Sequence, residues 1–227
     1  MANKLSKEHL ESDQLVTSYY LTVTWIKQNQ GAVIAGVVAF IALIGGIIWY
    51  VTSSSAKEVN AREALVFAEN QFMLDNFETA LYGGDGTNQI GLIEIVSRYR
   101  RTTAGNLALY YAAVSELNLG NYESALSFIS EYRPVRGVMG VAPISLHGVV
   151  LMQLERYSEA VRVFERAASW DENESTTPFN LHLAAEAAFA AGNERKAREL
   201  VQRIKTEFPD SPQFTQAQRL NGKLSVR

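Results

Sequence analysis

One stretch constrains this chain more than any other. Residues 31–51 read GAVIAGVVAFIALIGGIIWYV, 21 positions without a charge. Lys27 and Lys57 are the flanking charges. A helix needs roughly 20 apolar residues to cross the hydrocarbon core of a bilayer, and it satisfies its own backbone hydrogen bonds while doing so. Trp25 on one side, and Trp49 and Tyr50 on the other, stand where amphipathic rings favour the headgroup level. We therefore expect a single-pass transmembrane helix over residues 31–52, a tail over 1–30, and a larger body after it. A buried core helix is the competing reading, and the length of the run weighs against it. Ser54-Ser55-Ala56 offers small residues of the kind a signal cleavage site uses. The apolar run exceeds the roughly 7–15 residues of a signal, however, and the segment before it is long and not basic, so an anchor is expected.

In the tail, Lys4, Lys7 and Lys27 balance Glu8, Glu11 and Asp13, so the net charge of −3 resides in the body. That balance offers nothing to a nucleic acid. Leu15, Tyr19, Thr22 or Val23, and Ile26 fall at helical spacing, which fits a short amphipathic helix as well as an irregular polar tail. Lys27 before the run and Lys57 and Arg62 after it leave membrane orientation undecided by charge. With no cysteine in the chain, disulfides, thiolate metal sites and a cysteine nucleophile are excluded.

The body reads as all-α, rich in Ala, Leu, Glu and Gln. It also repeats. Gly120-Asn121-Tyr122-Glu123-Ser124-Ala125-Leu126 is echoed by Glu155-Arg156-Tyr157-Ser158-Glu159-Ala160-Val161 and by Gly192-Asn193-Glu194-Arg195-Lys196-Ala197-Arg198. The alanines are 35 and 37 positions apart, close to the period of about 34 that marks the helix–turn–helix tetratricopeptide repeat. Twelve positions before each alanine lies a second small residue, Ala113, Gly148 or Ala185, as close crossing of two helices requires. Ile129 and Tyr132, and Phe164 and Ala167, follow the first two alanines by four and seven. Thr177-Pro178 reads as a cap and first turn, and Pro209 as the end of the last repeat. We therefore divide the body into a degenerate first helical repeat with a Gly-rich loop (56–103), three tetratricopeptide repeats (104–210) and a C-terminal capping helix (211–227). In the first, Ala61, Ala64, Leu65, Ala68 and Phe72 share one helix face, a short helix covers 90–99, and Tyr82-Gly83-Gly84-Asp85-Gly86-Thr87-Asn88 is the loop. The fold class expected is a single transmembrane helix followed by a tetratricopeptide-like solenoid.

No catalytic constellation emerges. The glycine loop lacks the Gly-x4-Gly-Lys of a phosphate loop and the alternating acids of a calcium loop. His9, His147 and His182 have no second histidine three or four residues away, so no metal site is read, and no Gly-x-Ser-x-Gly elbow occurs. Neither a cofactor nor an enzymatic activity is expected. Solenoids of this class bind partners on a concave groove lined by the first helix of each repeat. The repeat register places there Tyr110, Val114, Leu117 and Asn118, then Ser145, Val149, Met152 and Gln153, then Phe179, His182, Glu186 and Phe189. The groove is mostly apolar and lacks the cations with which chaperone-docking tetratricopeptide domains grip a C-terminal carboxylate. It suits an extended hydrophobic segment or a partner helix. The alternative is a groove filled by the chain's own C-terminal helix or by a second copy in a homo-oligomer.

A tail, one span and degenerate tetratricopeptide repeats resemble the ancillary subunit of the bacterial Sec translocon. The chain is still more similar to membrane-anchored tetratricopeptide proteins of the Bacteroidetes and Chlorobi. The likeness rests on Glu78-Thr79-Ala80-Leu81-Tyr82-Gly83-Gly84-Asp85-Gly86, on Ala104-Gly105-Asn106-Leu107-Ala108-Leu109-Tyr110-Tyr111-Ala112 and on Thr176-Thr177-Pro178. The resemblance implies an inner-membrane scaffold with a periplasmic body. Its implied partners are the Sec translocon, periplasmic chaperones or secreted chains, with no catalytic residue to carry over. A structural adaptor of a division or outer-membrane assembly complex, without client binding, is the alternative function.

Overall fold

The computed structural model describes residues 7–86 and 88–225, with side chains from residue 17 onward. Lys4, Thr87, the last two positions of the capping helix, and the side chains of His9 and Leu15 lie outside the described residues. Eleven α-helices are seen among them, joined by one isolated bridge and no strand. The chain divides into two units, residues 1–56 and 57–227.

The first unit is helical. Helix α1 covers Lys7–Gln28 and α2 begins at Gln30. Backbone bonds from Asn29 to Trp25 (2.9 Å) and from Val33 to Asn29 (3.0 Å) carry the helical ladder through the junction. None of the most apolar 18-residue window of α2 is buried, which removes the core-helix alternative. Phe40, Ile41, Leu43, Ile47, Ile48 and Trp49 are each more than half exposed. By length and composition this helix can cross a membrane. It spans Gln30–Met73 without a break. Residues 51–57 contain neither glycine nor proline. Thr52 and Ser55 instead donate their hydroxyls to the carbonyls of Ile48 (2.8 Å) and Val51 (2.9 Å), the helix-compatible way of satisfying such side chains.

The second unit is a stack of helix pairs. Helices α5 (Thr103–Asn118) and α6 (Tyr122–Glu131), α7 (Val141–Gln153) and α8 (Tyr157–Trp170), and α9 (Thr176–Ala190) and α10 (Glu194–Glu207) form three of them. In each pair the two small residues twelve apart are buried: Ala113 with Ala125, Gly148 with Ala160, Ala185 with Ala197. Gly148 shows how tight the crossing is. A Cβ there would sit 2.5 Å from the fully buried ring of Phe164.

A fourth pair obeys the same geometry. Ala68 near the end of α2 and Ala80 in α3 (Phe77–Tyr82) are also twelve apart and fully buried. Asn76-Phe77-Glu78-Thr79-Ala80-Leu81 repeats Asn121-Tyr122-Glu123-Ser124-Ala125-Leu126 almost residue for residue. The glycine loop then interrupts the second helix, which resumes as α4 (Leu92–Tyr99). Gly83 pairs with Ile90 in the isolated bridge, Gly84 N–H donates to the Gln89 carbonyl (2.8 Å), and Gln89 N–H donates to Gly86 (3.0 Å). Among the described residues the loop is thus a turn closed by its own backbone bonds.

All four pairs share one turn. Asp75, Gly120, Glu155 and Gly192, each five residues before the signature alanine, have φ of 57°, 80°, 56° and 73°. The next residue's N–H returns to a carbonyl five positions back, at 3.0, 2.8, 2.9 and 2.8 Å. This is the left-handed helix stop that frees the chain to reverse. Its side-chain caps differ from turn to turn, since only Asn193 accepts from a backbone N–H, that of Lys196.

Two further details refine the sequence reading. Helix α9 begins one residue before Thr177. Thr177 is not its cap, because the Asn173 side chain already accepts from the N–H groups of Ser175 (2.9 Å) and Thr176 (2.8 Å). At the far end, α11 (Gln213–Ser225) buries Ala217, Leu220 and Leu224 against the last core cluster, covering an apolar face that the final pair would otherwise expose.

Glycine adopts the left-handed conformation without the roughly 1–2 kcal/mol cost other residues incur. Glu155 is exposed, so Glu155→Gly should raise stability by up to about 1 kcal/mol. Gly120→Val should lower it by about 1–2 kcal/mol. Denaturant melts of both variants check the pair, and opposite signs are the expected outcome.

Candidate interaction face

Helices α5, α7 and α9 are the first helices of the three complete pairs. Each is buried on most sides. Helix α9 packs against α7, α8, α10 and α11, and nine of its fifteen residues are buried. What remains open is one stripe per helix. On α9 it is Phe179, Leu183, Glu186 and Ala190; on α7 it is Ala142, Leu146, Val149 and Gln153; on α5 it is Leu107, Tyr111, Val114 and Asn118. Within each helix the spacing is four, three and four, which keeps the positions on one face. Between helices the same positions recur at 35 residues and then 37. Three parallel stripes therefore present aligned columns: Leu107, Ala142 and Phe179; Tyr111, Leu146 and Leu183; Val114, Val149 and Glu186; Asn118, Gln153 and Ala190.

The sequence-derived residues fall in three groups. Val114, Asn118, Val149, Gln153, Phe179 and Glu186 lie on these stripes, and Phe179 is the most open large apolar side chain among them at 44%. Tyr110, Leu117, Met152 and Phe189 lie off the stripes and are half-buried, as Val114 and Val149 on the stripes also are. Met152 and Phe189, like Val149 and Leu183, pack against the core cluster of the last two pairs. Ser145 and His182 are buried. Ser145 Oγ hydrogen-bonds Asn180 Oδ1, linking α7 to α9. His182 Nε2 lies 3.3 Å from Glu186, and among the described residues its Nδ1 finds no partner. The hydrogen bond from His182 holds the Glu186 carboxyl below the usual carboxylate range. Leu107, Tyr111, Ala142, Leu146, Leu183 and Ala190 were not read from the sequence as groove residues. The signal that finds them is the repeat register itself, moved to the neighbouring columns.

On α5 the Tyr111 position is occupied from within the same unit. Tyr111 OH donates to Glu69 at 2.8 Å, and its ring lies 4.6 Å from that of Phe72. Tyr110 in turn stands 6.0 Å from Tyr132. The open part of the face is therefore richest on α7 and α9. Its chemistry is apolar, with two amides and one carboxylate, and no three His, Cys, Asp or Glu among the described residues converge to hold a metal ion.

A family model for the tetratricopeptide repeat matches residues 151–220, from the end of α7 into α11. Comparison with curated proteins and with solved structures returned no match. The matched segment is similar to a module that mediates protein–protein interaction, and it carries the most exposed stripe, that of α9.

Burial first, and then the Glu69 hydrogen bond, push the Tyr111 phenol up to about 12 from its ordinary value near 10.0. A raised folded value means a contribution fully present below the unfolded value and lost as pH rises through the folded one. Tyr111→Phe should cost about 1 kcal/mol at neutral pH. The gap between the melting temperatures of parent and variant should narrow as pH rises from about 10 toward 12, measured by circular dichroism.

Proposed function

We propose that this chain is a membrane-anchored protein-interaction scaffold whose stripes on α7 and α9 receive an apolar segment of a partner. One observation carries the proposal. Phe179, 44% exposed, and the half-buried Leu146, Val149 and Leu183 recur in register on repeat helices of the kind that bind proteins, so an apolar surface remains partly open with the capping helix packed on α9 and α10. An apolar face rimmed by Gln153 and Glu186 suits an extended hydrophobic stretch or one face of an amphipathic helix. The finer reading is association with the Sec translocon and handover of secreted chains to periplasmic chaperones, with the body outside the cytoplasm of a bacterial inner membrane. The resemblance of the sequence to the translocon's ancillary subunit supports it, and so does an apolar acceptor surface on a chain that also has a helix long and apolar enough to cross a membrane.

Phe189 and Val149 pack into the core, so substituting them would confound folding with binding. Phe179 and Gln153 are exposed and serve better. A photo-crosslinking residue at Gln153 should give adducts with translocating chains, and Phe179→Glu should cut their yield several-fold without changing the far-ultraviolet circular dichroism. A single constant partner and no nascent-chain adducts would establish the structural-adaptor reading instead. Adducts of twice the chain mass would place a second copy on the face. The absence of any adduct would overturn the scaffold itself.

A further inference from the structure

A second surface lies away from these stripes, at the turn before α5 and in the segment joining α6 to α7. Asn106 grips the backbone of Arg133 at both ends, donating to its carbonyl (3.0 Å) and accepting from its N–H (2.9 Å). The Arg133 guanidinium donates to the Arg100 carbonyl (3.0 Å), and Arg100 pairs with Glu131 at 2.8 Å. Further along, the Val135 carbonyl accepts from Trp170 Nε1 at 3.0 Å. The start of this segment is thus fixed against the turn, and its middle against α8. Beyond it Val138 and Met139 stand in the open, 53% and 74% exposed. Among the described residues Met139 is more exposed than any large apolar side chain of the membrane-spanning stretch, Trp49 at 71% included.

The turn and the start of the segment are basic. Arg100, Arg101, Arg133 and Arg136 lie there with Glu131, which Arg100 already engages; on the α8 side Asp171, whose Oδ2 would lie 3.8 Å from a Cβ on Gly137, opens an acidic loop with Glu172 and Glu174. Among the described residues neither Arg101 nor Arg136 has an acidic partner. Connectivity adds a second constraint. Glu58 accepts the Thr103 N–H at 2.7 Å. Burial raises the Glu58 carboxyl, but the Thr103 N–H and Arg62 outweigh it and hold the group below its ordinary range. Glu58 is seven residues beyond Val51, the last of the apolar run. The turn at residues 100–103 is thus hydrogen-bonded to the helix that continues directly from the apolar run in sequence.

We propose that this basic, apolar-tipped edge docks on the anionic headgroups of the bilayer that α2 crosses, with Arg100, Arg101, Arg133 and Arg136 on the phosphates and Val138 and Met139 entering the headgroup layer. The inference rests on α2 being a membrane span. Basic residues close to a span bind anionic lipid electrostatically, and an apolar tip adds burial at the acyl boundary. A lipid surface is favoured over a protein because the arginines complement anionic headgroups and the edge belongs to the same chain as the apolar run, its turn bonded to Glu58 seven residues after that run in sequence.

The chain lacks cysteine, so Met139→Cys can carry an environment-sensitive nitrobenzoxadiazole label in the full-length protein. The protein is placed in nanodiscs of phosphatidylcholine alone or with phosphatidylglycerol. Expected is a blue-shifted emission, quenched by doxyl-labelled lipid, in the anionic discs. Arg101→Glu with Arg136→Glu should reduce that quenching several-fold. A label at Ser158→Cys, at the other end of α8 from Trp170, should report no lipid dependence. Identical emission in both discs from a carbonate-resistant protein would overturn the lipid-docking edge and leave the span intact. So would a shift seen only on adding a soluble protein. Release of the chain by carbonate would overturn the span, and the proposal with it.

Discussion

The body depends on pairs of small residues that let two helices touch. Ala68 with Ala80, Ala113 with Ala125, Gly148 with Ala160, and Ala185 with Ala197 are each separated by twelve positions and are buried. A larger side chain at any of these sites meets packed atoms, as the Phe164 ring beside Gly148 shows. Overpacking of such a site typically costs 1–3 kcal/mol. Twelve positions is the distance that a left-handed stop and a reversal impose, so the spacing of the crossing and the geometry of the turn are one constraint. Everything else in the body follows from stacking this unit. Second helices pack against the next first helices, and α11 covers the last apolar face.

The apolar run obeys a different solvent. Its large side chains stay exposed in the isolated chain. Leaving one such residue in water rather than burying it costs roughly 1.5–3 kcal/mol, and no packed partner within its unit relieves this. A bilayer core would, and the helix is long and apolar enough to cross one. Helix α2 then runs on to Met73: no glycine or proline stops it after the run, and the Thr52 and Ser55 hydroxyls are accommodated on its own carbonyls. A sequence reading naturally separates the apolar run from the helix after it, since composition changes at Thr52. Backbone hydrogen bonding does not change there.

Much of the fold was legible from one repeated phrase. The helical repeat and the apolar helix were both readable because alanine recurs at 35 and 37 residues and because 21 uncharged positions are hard to misread. The fourth pair was harder to see. Ala80 and Ala125 are 45 apart, because the glycine loop is inserted within the second helix and hides the period. The turns at Asp75 and Glu155 were also silent, since neither residue advertises a positive φ as Gly120 and Gly192 do. On the face, half of the chosen residues fall on open stripes. The buried Ser145 and His182 lie one residue from the half-exposed Leu146 and Leu183. One residue is about 100° on a helix, enough to turn a side chain into the neighbouring pair, where Ser145 meets Asn180. Sequence periodicity fixes which residues share a column. Which column faces outward is decided by how successive pairs pack.

The account joins a membrane span to a protein-binding body and assigns that body to the side where secreted chains emerge. Sidedness tests it most directly. Ser169 is exposed on α8, and Ser169→Cys would be the single thiol of the chain. In spheroplasts treated with a membrane-impermeant maleimide, the account predicts labelling without lysis. Labelling that appears only after lysis would place the body in the cytoplasm and contradict it.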